Sequence, residues 1–243
     1  MSKHQGKVAI VTGADRGIGR ALATQLADAG IKLSLLSIEG AGLADAGRAI
    51  EAKGGTVITT VGDVSDRAVV EGAVARTVEQ FGTVDYLLNV AGVAFFGGVA
   101  HCTEEEWDTT MNTNVKGYFL MAKSVLPHMQ SAGGGVILNM SSIWGERGSS
   151  AMQAYATSKH AVEGFTKSLA IEAAPHGIKV SSLLLDKVDT GFRDRMLPHV
   201  NYSEEQKARM LSVADVAGAA WWVLDSSDRC LPSSIELTAW QFK

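Results

Sequence analysis

A tyrosine and a lysine stand four residues apart, Tyr155 and Lys159, in the stretch AYATSKHAVEGF. At helical pitch, positions i and i+4 lie on one face. An ammonium beside a phenol favours the phenolate, so a tyrosine pKa of about 10 falls towards neutrality. The dipole at a helix N-terminus pushes the same way. A phenol tuned like this is a competent general acid or base. Two snorkelling side chains on an amphipathic helix would give the same isolated pattern, so its surroundings decide.

A second chemical signature lies at residues 12–19, TGADRGIG. Its glycines are spaced GxxxGxG, not GxGxxG, but the physics is shared. Glycine lets the backbone turn sharply and approach a pyrophosphate, and the helix that follows offers free N–H groups and a positive dipole end. Gly13, Asp15, Arg16, Gly17, Ile18 and Gly19 are the candidate phosphate-loop residues. A carboxylate about 20 residues on would bind both hydroxyls of an NAD ribose. LLSIEG places Ser37 and Ile38 there, with Glu39 one or two places late. Neutral Ser37 and nearby Arg16 therefore favour NADP(H) over NAD(H).

These residues need a frame. Short apolar runs at 7–12, 31–37, 56–61, 84–88, 135–140, 178–184 and 234–238 read as strands. They alternate with helical spacing after the glycine loop (ended by Gly30), at 40–53, 66–81, in two helices to about 131, and at 152–174. That alternation predicts an α/β doubly wound Rossmann fold, a central parallel sheet of about seven strands with helices on both faces. No linker or repeat divides residues 1–243, so a single domain is expected.

Composition excludes several functions. At 46% hydrophobic and 20% charged, the 243-residue chain is ordinary for a globular protein. A net charge of −4 without charged blocks gives no case for nucleic acid or a membrane surface. No signal sequence or run of about 18 apolar residues is present, so a cytoplasmic location is expected. Cys102 and Cys230 read as free thiols. The six histidines form no HxxxH pair or cluster with carboxylates, and no catalytic metal is expected.

Taken together, TGADRGIG, Asp63, NVAG (89–92), Asn114, NMSS (139–142) and YATSK resemble the short-chain dehydrogenase/reductase family, in the usual order and spacing to about residue 180. The resemblance implies an NAD(P)(H)-dependent oxidoreductase interconverting a carbonyl and an alcohol. Tyr155 would be the general acid/base and Ser142 the hydroxyl that polarises the carbonyl, with Ser141 a weaker candidate. Lys159 would bind the nicotinamide ribose and tune the tyrosine, while Asn114 would anchor a water for proton relay. Asp63 and Val64 are similar to residues that contact adenine. Asn89, Ala91 and Gly92 belong to a turn bracing the cofactor, and Val188 and Thr190 match contacts to the carboxamide and phosphate. A homotetramer or homodimer is implied, with Trp221 or Trp222 at an interface.

The chain also departs from the family. Leu185 and Asp186 replace a Pro-Gly pair after the sixth strand, and the C-terminal end lacks the usual glycines. Asp186 would either clash with the pyrophosphate or sit over an oxidised ring. Residues 190–212 resemble a substrate lid. Phe95, Phe96 and Trp144 suggest an apolar wall for a small-molecule carbonyl, a 3-oxoacyl group among the options. Arg147, Arg193 and Arg195 could meet an anion. The rival reading is a catalytically decayed nucleotide-binding or scaffold protein; an epimerase or dehydratase would require a tightly retained cofactor.

Overall fold

The computed structural model describes residues 3–192 and 202–240. Seven strands build one sheet: β1 (Val8–Thr12), β2 (Lys32–Ser37), β3 (Val57–Val61), β4 (Tyr86–Asn89), β5 (Gly135–Ser142), β6 (Ile178–Leu185) and β7 (Ser234–Leu237). Their order is β3-β2-β1-β4-β5-β6-β7, with every neighbouring pair parallel. β1, β4 and most of β2, β5 and β6 are buried residue after residue. Continuous apolar runs are what a parallel sheet covered on both faces demands.

The helices are α1 (Gly17–Asp28), α2 (Gly40–Glu51), α3 (Arg67–Phe81), α4 (Glu104–Met111), α5 (Gly117–Ala132), α6 (Gln153–Ala173), α7 (Glu204–Lys207) and α8 (Val213–Asp225). One core packs α1, α2 and α8 on the sheet through Leu22, Leu26, Leu43, Ile50 and Val216 against Val11, Leu33 and Leu35. The other packs α3, α5 and α6 through Val70, Val74, Met121, Val125 and Leu169 against Ile10, Leu87 and Ile137. Strand order reverses between β1 and β4, which opens a crevice beyond the carboxyl ends of the strands. No helix among the described residues is long and apolar enough to cross a membrane.

Two local features differ from the sequence expectation. β5 runs two residues further, because Ser141 and Ser142 pair in register with Leu184 and Leu185 of β6. Between α4 and α5, residues Asn112–Lys116 form a π-helical turn, with the Gly117 N–H reaching back to the Asn112 carbonyl. Such turns insert an extra residue and often mark functional positions.

Candidate active site

The glycine loop is shaped by close approach. Gly13 has φ 64°, and a Cβ there would lie 2.9 Å from Ala91 Cα. At Gly19 a Cβ would lie 2.1 Å from the Gly13 carbonyl oxygen, so only glycine fits. The Thr12 hydroxyl accepts the Val90 and Ala91 N–H groups at 2.9 and 3.0 Å, locking the NVAG turn beside the loop. Asn89 donates to Asn139, and Asn139 to Thr166, across β4, β5 and α6, each at 2.9 Å. Where Asp66, Thr103 and Ser212 cap α3, α4 and α8, the N-cap of α1 is Arg16, whose side chain makes no cap. The first N–H groups of α1 are left to face the cleft.

That cleft has a volume of about 660 Å³. Gly13, Asp15, Arg16, Gly17, Ile18, Gly19, Ser37, Asp63, Val64, Ala91 and Gly92 line one part of it; Ser142, Tyr155, Lys159, Val188 and Thr190 line the rest. Gly17 and Thr190 meet there, since a Cβ on Gly17 would sit 3.5 Å from Thr190 Cγ2. Asn89 and Asn114 are fully buried behind the wall.

Tyr155, in the first turn of α6, is half-buried in the cleft. Lys159 follows one turn later, with Nζ 5.5 Å from the Tyr155 ring centroid and 5.4 Å from that of Tyr118. Its ammonium donates to the Met140 carbonyl at 2.7 Å. Burial pushes the Lys159 pKa down to about 8 from 10.5, against an opposing pull from Glu163. Burial also keeps the Tyr118 phenol protonated, pushing its pKa far upward. Ser142, at the end of β5, donates to the Leu185 carbonyl at 3.2 Å and accepts the Trp144 N–H at 3.3 Å.

The π turn carries Asn114 inward. Its amide donates to the Val93 carbonyl (2.8 Å) and Ser158 Oγ (3.0 Å), and its oxygen accepts the Val93 N–H (2.8 Å). Ser158 in turn donates to the Tyr155 carbonyl at 2.7 Å. The side chain of Asn114 thus braces the helix turn between Tyr155 and Lys159.

The family model for the short chain dehydrogenase matches residues 7–201. The chain belongs to the short chain dehydrogenase family. The chain is 35% identical over 213 residues to levodione reductase of Leifsonia aquatica, covering 85% of this chain and 79% of the relative. Its fold matches an NAD+-bound xylitol dehydrogenase with a TM-score of 0.88 at 28% identity, over 97% of this chain and 99% of the other. A 3-ketoacyl-(acyl-carrier-protein) reductase from Brucella melitensis, complexed with NADH, matches with a TM-score of 0.89 at 27% identity, over 98% and 99%. The chain therefore falls among oxidoreductases.

Other expected site residues make contacts that the sequence did not show. The expectation of NADP(H) rests on the absence of a carboxylate at positions 37 and 38. Asp15 supplies one: its Oδ1 accepts the Ser37 hydroxyl at 2.6 Å. Arg16, expected at a 2′-phosphate, donates to the Gly191 carbonyl at 2.9 Å, with Nε 3.8 Å from Asp15 Oδ2. Arg147 is ion-paired with Glu236 of β7 and does not line the cleft. Arg193 and Arg195, and part of the 190–212 segment, lie outside the described residues. Asp186 lines the cleft, but its carboxylate accepts the Ala239 N–H at 3.3 Å and stands 3.6 Å from Lys187 Nζ. Phe95, Phe96 and Trp144 do line the cleft, joined by Met152, Phe192 and Tyr202, which the sequence did not single out. Phe192 lies 6.3 Å from the Tyr155 ring, centroid to centroid. Of the paired tryptophans, Trp221 packs on the core and Trp222 is 54% exposed.

Proposed function

We propose that the chain is a nicotinamide-dinucleotide-dependent oxidoreductase that interconverts a carbonyl and an alcohol, with Tyr155 as general acid/base. The observation that carries this reading is the buried Lys159 ammonium 5.5 Å from the ring of a tyrosine that lines the same cleft as the glycine loop. The cradle fits the cofactor. Gly13 and Gly19 leave no room for a side chain, and the uncapped start of α1 offers N–H groups to a pyrophosphate. Asp63 and Val64 would flank the adenine, and Val188 and Thr190 the nicotinamide side. A bound nicotinamide supplies or accepts the hydride.

The residues do the rest. In reduction, the Tyr155 hydroxyl gives its proton to the carbonyl oxygen as negative charge builds there. Ser142 turns its O–H from the Leu185 carbonyl to the same oxygen, adding a second donor. Lys159 stabilises the phenolate left behind and holds the ribose hydroxyls, while Asn114 fixes the helix turn that carries both. Oxidation runs the same proton path backwards.

Asp15 and the engagement of Arg16 by Gly191 weigh against the 2′-phosphate that Ser37 alone would admit, so the reading of the ribose mouth moves from NADP(H) to NAD(H). The decayed-scaffold rival rested on Leu185 and Asp186, and the turn of the Asp186 carboxylate towards Ala239 and Lys187 favours the enzyme instead. We further take residues 1–243 as one domain, 190–212 as a substrate lid, and exposed Trp222 as part of a homotetramer or homodimer contact in a cytoplasmic protein. Titration with NADH and NADPH followed by nicotinamide fluorescence, then a panel of ketones and aldehydes, tests the reading. No binding of either cofactor would overturn it.

A further inference from the structure

Glu163 lies on α6 one turn beyond Lys159, on the face that carries Tyr155, and is 3% exposed. Its Oε2 accepts the Ser182 hydroxyl at 3.1 Å. Its Oε1 has no hydrogen-bond partner among the described residues, and neither has the nearby Ser141 hydroxyl. A Cβ on Gly145 would stand 3.1 Å from Glu163 Cγ, 3.0 Å from Ser141 Oγ and 3.1 Å from the Lys159 carbonyl oxygen. The end of β5, the turn after it and α6 therefore close over this carboxylate. It enters no ion pair of 4 Å or less among the described residues. A buried carboxylate served by one hydroxyl is costly unless a charge answers it.

We propose that Glu163 is a positioning residue for the Tyr155–Lys159 pair, its carboxylate holding Lys159 in the ammonium form from the turn below. The proposal rests on the reading of Lys159 given above. Lys159 is faced by the Tyr118 ring from α5, the Tyr155 ring and Glu163 from α6, and the Met140 carbonyl from β5. Tyr118 stays protonated, and the carbonyl is neutral. Glu163 brings a negative charge that partly offsets the desolvation of the ammonium. Without it, Lys159 would shed its proton nearer neutral pH and lose the charge that strengthens its bonds to ribose hydroxyls and biases the phenol.

The test reads Lys159 directly. Protein labelled with ¹³Cε-lysine is titrated, with the Lys159 signal assigned by its loss in Lys159→Met. Glu163→Gln is expected to move the Lys159 midpoint down by about one pH unit or more, tenfold in proton affinity, and Glu163→Asp to restore part of the shift. A lower melting temperature with an unmoved midpoint would mean a packing role and overturn the proposal. Should Glu163→Gln not fold, the ¹³Cδ signal of Glu163 in the unmodified protein decides: a carboxyl still protonated at pH 7 overturns the proposal, an ionised one upholds it. Wild-type NADH affinity that stays flat while Lys159 titrates would break the ribose role of Lys159, leaving the midpoint shift to decide on Glu163.

Discussion

Replacing Asp15 by asparagine removes the charge that the glycine loop brings to Ser37 while keeping an oxygen able to accept the Ser37 hydroxyl at 2.6 Å. The charge of a 2′-phosphate bound beside Ser37 is taken at a separation of about 5 Å, the range over which neighbouring charges shift one another. At an effective dielectric of about 20, 332/(εr) is then about 3 kcal/mol per pair of unit charges. The cleft is open to salt, and Arg16 Nε lies 3.8 Å from Asp15 Oδ2, so roughly half of this survives. A gain of about 1.5 kcal/mol corresponds to NADPH binding roughly tenfold tighter in Asp15→Asn. NADH loses a charge-assisted partner for its ribose hydroxyls, about 1 kcal/mol, or about fivefold weaker binding. The ratio of the two dissociation constants should therefore swing by roughly 50-fold towards NADPH. Fluorescence titrations at 20 and 150 mM salt measure both constants without any substrate, and the swing should shrink at the higher salt. A ratio that moves less than about twofold would refute the reasoning, because Asp15 would then not face the ribose.

Other outcomes follow from the same geometry. Tyr155→Phe should leave NADH affinity nearly intact and lower turnover on any accepted carbonyl at least about 100-fold; near-wild-type rates would remove Tyr155 from its role. Lys159, with its folded pKa lowered from 10.5 to about 8, binds fewer protons folded than unfolded between those values, so its contribution to stability rises with pH there. From pH 8 to pH 10.5 the stability difference between wild type and Lys159→Met should therefore move in favour of wild type by about 3 kcal/mol; denaturant melts across that window check the sign. Asp186→Ala should cost about 1 kcal/mol, a few degrees in Tm, through the lost Ala239 N–H bond, with NADH affinity changed less than about twofold. A marked gain in NADH affinity would mean that the Asp186 charge acts on the cleft after all.

What the sequence made legible and what it hid follow from the range of the forces involved. All seven strands were readable to within two residues because burial on both faces turns each into a run of apolar residues. The Tyr155–Lys159 face was readable because helical pitch is local. The serines ending β5 were not read as strand, since serine favours turns in isolation and only pairing with β6 extends them. The π turn is drawn in by bonds from Asn114 to Val93 and Ser158, 21 and 44 residues away. Ser37 was seen to lack a carboxylate; that Asp15, 22 residues earlier, lends it one is a tertiary fact. Glu163 continued the spacing of 155 and 159, and that repeat was the available signal, but a glutamate on a helix reads as solvent-facing until its burial is known.

The two departures from the family pattern, Leu185–Asp186 and the altered C-terminal end, belong together. A proline at 185 would lack the N–H that a strand residue needs, whereas leucine keeps it, and β6 stays paired with β7 as far as Leu185 opposite Leu237. The Leu185 side chain is only 6% exposed and joins the core with Val188, so the extra bulk is directed away from solvent. At the next position the Asp186 N–H donates to the Leu237 carbonyl at 3.0 Å, and its carboxylate accepts the Ala239 N–H. A glycine there could make the first bond but not the second. The segment after β7 thus gains an anchor in Asp186, and the Asp186 carboxylate, which lines the cleft, gains a partner there. The Leu185 carbonyl, meanwhile, remains in place to hold the Ser142 hydroxyl. Each change thus meets the other: Asp186 holds the segment after β7, and that segment holds the Asp186 carboxylate.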